Sequence, residues 1–96
     1  METVLIQLFK DLQLEKENAS NKAQFQKLAD YLDHLVSYDF NKLLSILYRV
    51  DVSEEKAKRA LADKKENESN GQILAKLLIE RELQKILFRE KYRKKS

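Results

Sequence analysis

Ninety-six residues with no Pro and a single Gly, Gly71, leave the chain almost no means of making tight turns. Sheets need such turns, and those lean on Gly, Pro and Asn. The chain is therefore expected to be helical throughout. The same scarcity closes several routes to chemistry. There is no Cys to act as a thiolate, no glycine-rich loop to cradle a phosphate, and only one His.

The length fits one domain, residues 1–96. Charged residues make up 36% and hydrophobic ones 43%, which suits helices with narrow apolar stripes and long charged flanks. Without Cys there is neither a disulfide framework nor a thiolate metal site. Met1-Glu2-Thr3-Val4 places an acid where an export signal needs bases, and Gln7 and Lys10 break the following apolar run. No stretch nears the roughly 20 apolar residues of a membrane span. A cytoplasmic protein is the expectation. The net charge of +3 is unevenly spread. Residues 85–96 hold six basic side chains against Glu90, leaving 13 basic and 15 acidic groups in residues 1–84.

Leu5, Leu8, Phe9 and Leu12 fall at i, i+3, i+4 and i+7, predicting a first helix from Glu2 to about Leu14, its stripe widened by Val4. Glu15–Asn21 reads as a loop, with Ser20 or Asn21 capping the next helix. Phe25, Leu28, Ala29, Leu32, Leu35 and Val36 hold the helical spacing to about Ser37. Asp39 is a suitable N-cap for a third helix bearing Phe40, Leu43, Leu44 and Leu47, with Ile46 and Val50 beside them. Two signals compete to open the fourth helix: Asp51 with Glu54 at capping-box spacing, and Ser53 before Glu54-Glu55. That helix ends near Lys64, and its apolar face, Ala57, Ala60 and Leu61, is thin. Lys65–Gly71 is the most polar stretch and reads as a mobile loop. Ser69 or Asn70 then starts a last helix running past Tyr92.

At 100° per residue, Ile73, Leu74, Leu77 and Leu78 share one face of the last helix. Ile79, Leu83, Ile86 and Leu87 share another, nearly opposite. One small core cannot take both faces from a single side. Either elements lie on both sides of this helix, or its second half leaves the body and packs on helix one, a second copy or another protein. Leu83, Ile86 and Leu87 are the candidate interface.

The chemical signals are sparse. His34, with Asp30 one turn before and Asp33 beside it, reads as a surface histidine rather than a metal ligand. Glu54/Glu55, Glu66/Glu68 and Glu80/Glu82 sit beside Lys or Arg and read as solvated helix surface, since general acid–base work needs a carboxylate moved by burial. Tyr31, Tyr38 and Tyr48 are expected at stripe edges with rings buried and hydroxyls wet. The tail from about 89 to 96 offers Arg89, Lys91, Arg93, Lys94 and Lys95 to an acidic partner or to phosphates, or merely complements the helix dipole. The third and fourth helices match a DNA-reading pair poorly, because Glu54–Lys64 has no Asn, Gln or Thr to read base edges.

Asp39-Phe40-Asn41-Lys42-Leu43-Leu44, followed by Leu47-Tyr48-Arg49-Val50-Asp51-Val52-Ser53-Glu54-Glu55, resembles a segment of a family of short, uncharacterised, all-helical bacterial proteins. Ile79-Glu80-Arg81 and Arg89-Glu90-Lys91-Tyr92 fit the same pattern. The resemblance covers roughly the last 60 residues and not the first helix. It implies a compact helical domain of a bacterial cytoplasmic protein and lends no activity or site. On physical grounds Arg49 is expected to bridge helix ends through a carboxylate.

The sequence thus predicts an all-α, single-domain antiparallel bundle of four to five helices. Its expected core is Leu5, Leu8, Phe9, Leu12, Phe25, Leu28, Leu32, Leu35, Phe40, Leu43, Leu44, Leu47, Leu61, Leu74, Leu77 and Leu78. The expected function is a non-enzymatic interaction module, a homodimer or a binder of another helical protein, with no cofactor, metal or small-molecule substrate. The alternative is a small nucleic-acid-associated protein using the basic tail.

Overall fold

The computed structural model describes residues 2–12 and 21–95. Among them are five α-helices and no strand: α1 (Glu2–Asp11), α2 (Asn21–Tyr38), α3 (Phe40–Val50), α4 (Glu54–Ala62) and α5 (Asn70–Lys95). The expected end of α1 near Leu14 and the cap at Ser20 lie outside the described residues, as does the Asn21 side chain.

The caps explain the boundaries. Asp39 leaves the helical region (φ −151°, ψ 70°), and its Oδ1 accepts from the Lys42 backbone N–H at 3.1 Å. One residue therefore ends α2 and starts α3. Ser53, not Asp51, caps α4, its Oγ accepting from Lys56 N–H at 3.0 Å. Asp51 instead closes α3. It adopts the left-handed conformation (φ 67°), its N–H reaches the Tyr48 carbonyl at 3.2 Å, and the Val52 N–H reaches Leu47 at 2.9 Å. That is a Schellman closure, with buried Val52 and Leu47 as its apolar pair. At α5, Ser69 Oγ accepts from Gln72 N–H at 3.1 Å while Gln72 Oε1 accepts from Ser69 N–H at 2.9 Å. The two make a reciprocal capping box.

The third free donor of that turn, Gly71 N–H, is taken from across the fold by Asp33 Oδ1 of α2 at 2.6 Å. Gly71 is buried, not part of a loop; the polar connection is residues 63–69. It rests on α2 at Ala29 and Asp33, and Ala75 follows one turn on. Small side chains there let the two helix backbones approach. From this point α5 runs back along α2, antiparallel to it, and the pair forms the spine of the molecule. α1 lies on both, burying Val4, Leu5, Leu8, Phe9 and Leu12, while α3 and α4 close α5 from another side.

The core holds the expected Leu28, Leu32, Leu35, Leu43, Leu47, Leu74 and Leu78 and adds Ala29, Ile46, Val50, Val52, Ala57, Ala75 and Ile79. Phe25, Leu44, Leu61 and Leu77 are half-buried against it. Phe40 is not core: it is 49% exposed. It opens α3 at the margin of the Leu43–Ile46–Leu47–Val50 stripe, on a row through Leu44 and Tyr48 that turns away from the core. Tyr48 is 90% exposed, so its ring stands in solvent rather than at a buried edge, and Tyr38 is likewise exposed.

Candidate functional site

The first half of α5 resolves the two-face problem by lying between elements. Ile73, Leu74, Leu78 and Ile79 are all buried although they point in different directions. The second half differs. α5 has 26 residues and α2 has 18, about 39 and 27 Å at the usual rise. Counting from the Gly71 contact, α5 draws level with the start of α2 at about residue 81. Beyond it, Leu83 and Leu87 are 42% and 55% exposed and Phe88 is exposed, while Ile86 is half-buried against the core. Leu83 and Leu87 are one turn apart and form a continuous apolar ridge.

The basic tail is the end of the same helix. Arg89 Nη2 lies 3.7 Å from Glu82 Oε1. Lys91 is exposed, and Arg93, Lys94 and Lys95 belong to the last turn, their side chains outside the described residues with that of Tyr92. Glu82 corrects the expectation that the acidic pairs are all solvated, since it is 2% exposed. Its position follows from spacing. Gly71, Ala75, Leu78 and Glu82 fall at i, i+4, i+7 and i+11, one row along the face that meets α2. Reading Glu82 beside Glu80 hid it; reading it from Leu78 would have found it. A lone buried carboxylate is not a catalytic cluster, and no group of three or more His, Asp or Glu among the described residues could hold a metal ion. His34 is exposed and its ring lies against that of Tyr38, centroids 4.9 Å apart and planes tilted by 37°.

A second feature is the corner between α3 and α4. Arg81 of α5 grips Asp51 twice, Nη2 to the carboxylate at 2.8 Å and Nε to the main-chain carbonyl at 3.1 Å. Arg49 itself is exposed on α3. The guanidinium beside Asp51 holds its carboxyl below the ordinary value. A group with a lowered folded-state pKa adds stability above its unfolded pKa, near 4, and loses it as pH falls through the folded value. Arg81→Ala is therefore expected to lower thermal stability most at neutral pH, the difference from wild type narrowing below about pH 4 to what the main-chain bond contributes. Melting curves between pH 7 and 2 check this; an equal offset at every pH would show that the pair is not responsible. On the outer side of the corner a depression of about 560 Å³ is lined by Leu44, Leu47, Tyr48, Val52, Ser53 and two acids, Asp51 and Glu54.

Comparison of the chain with protein-family models, with curated proteins and with solved structures finds no match. Among the described residues no helix is long and apolar enough to cross a membrane.

Proposed function

We propose that the protein is a non-enzymatic helical interaction module that self-associates through the outer half of α5. One observation carries the reading: the Leu83–Leu87 ridge stays exposed, beside half-buried Ile86, where α5 has outrun α2. Exposed apolar ridges rimmed by charge are characteristic of association surfaces, and closed two-fold dimers are the commonest oligomers. A role in the bacterial cytoplasm accompanies this reading, on the resemblance of the last 60 or so residues.

The alternative, nucleic-acid binding, would rest on Lys91, Arg93, Lys94 and Lys95, since Arg89 is already drawn to Glu82. It predicts binding that weakens steeply with salt. Self-association predicts that light scattering at moderate salt returns twice the chain mass, and that Leu83→Glu with Leu87→Glu returns a folded monomer. A wild-type monomer at every accessible concentration would remove the reading.

A further inference from the structure

We propose that the outer half of α5 docks into the α3–α4 groove of a second copy, the contact being given and received reciprocally across a two-fold axis. This rests on the self-association reading and specifies its geometry.

The groove has the shape and charge for such an occupant. Its floor is the buried pair Leu47 and Val52, and half-buried Leu44 and the exposed Tyr48 ring form its wall. Glu54 lines it beside Asp51, whose carboxylate is already paired with Arg81; Glu55 is exposed next to them, and no Lys or Arg among the described residues lines it. It asks for a helix that is apolar and basic together. α5 offers that combination beyond Arg81: Leu83, Leu87 and Phe88 exposed, with Lys85 between and Lys91 after them. Opposite potentials favour the encounter and fix its register.

The alternative geometry, α5 against α5, brings two copies of a segment with six bases and one acid together. Like charges at an interface disfavour that arrangement. The groove cannot be filled by the chain's own ridge either. Arg81 is anchored at Asp51, and Leu87 lies six residues further along the same helix, about 9 Å away from the corner. No described side chain of α5 lines the groove. Because each copy carries one ridge and one groove, a two-fold axis satisfies both contacts and closes the assembly.

The test uses two variants of the full chain, each at an exposed position with little to do in the monomer: Leu87→Glu on the ridge and Tyr48→Glu in the groove. Circular dichroism confirms that both fold. Sedimentation equilibrium then follows each alone and in equimolar mixture. Each alone should dimerise at least about tenfold more weakly than wild type. The mixture should dimerise better than either, because a heterodimer retains one intact contact of the two. If Leu87→Glu abolishes the dimer while Tyr48→Glu leaves it unchanged, self-association stands and the groove is not its partner. If wild type is monomeric, both the self-association reading and this geometry fall. A mass that climbs past the dimer with concentration means the contact propagates head to tail, and the reciprocal arrangement is wrong.

Discussion

Phe9→Ala is expected to destabilise the protein by about 3–5 kcal/mol, the range for truncating a fully buried aromatic ring. In a domain this size each 1 kcal/mol moves the midpoint by about 4–8 °C, so the melting temperature should fall by at least about 12 °C. Phe9 is the largest fully buried side chain in the described structure. It sits on the ten-residue α1, which on its own is too short to be a stable helix. Its helicity must come from burying Val4, Leu5, Leu8, Phe9 and Leu12 on α2 and α5. The burial works in both directions, since without α1 the spine would expose the surface those five side chains cover. The whole molecule should therefore still melt in one transition in the variant. Thermal and urea unfolding followed at 222 nm measure both quantities. A loss under about 1 kcal/mol, or a separate early transition of small amplitude, would mean that α1 is an accessory and the other four helices form the folding unit.

That expectation shows where the sequence was informative. The α1 stripe was legible because four large residues recur at helical spacing on a single face. The same holds for α2 and for the buried side of α3. Caps were legible as chemistry but not always as choices. Asp51 and Ser53 both carry N-cap side chains, and only the three-dimensional path decides that Asp51 ends α3 in a left-handed turn while Ser53 starts α4. The turn is stabilised from outside, by Arg81, and no local pattern links positions 51 and 81. Phe40 failed for a related reason. Periodicity assigns a face but not where its margin falls, and Phe40 stands on the row through Leu44 and Tyr48 at the edge of the buried stripe of α3. The candidate interface was legible in outline. Two apolar faces on one helix imply two sets of neighbours. The structure supplies the first half of α5 with neighbours on both sides and leaves Leu83 and Leu87 exposed. The groove was not legible, because its lining comes from two helices and the turn between them.

Gly71 is the position most at odds with its appearance in sequence. A lone Gly ending a polar run reads as a flexible joint, and replacing it with Ala inside a helix ordinarily gains up to about 1 kcal/mol. Here the opposite sign is expected. A Cβ on Gly71 would overlap the Ala29 carbonyl oxygen outright and stand 2.7 Å from Asp33 Cγ and 2.8 Å from Asp33 N. Two of those three atoms are backbone, so no side-chain rotation relieves the clash; α5 must lift away from α2. Lifting also stretches the 2.6 Å bond from Gly71 N–H to Asp33, a charge-assisted cap of roughly 1.5–3 kcal/mol. Overpacking in a fixed core costs about 1–3 kcal/mol before that bond is counted. The two losses exceed the propensity gain, and Gly71→Ala should destabilise by about 2–5 kcal/mol. Asp33→Ala separates the contributions, removing the cap without adding a methyl group, and should cost less than Gly71→Ala. Urea denaturation of the two variants decides the matter. Equal losses would assign the whole effect to the lost bond. A Gly71→Ala protein as stable as wild type would show that α2 and α5 do not approach as closely in solution as the structure places them.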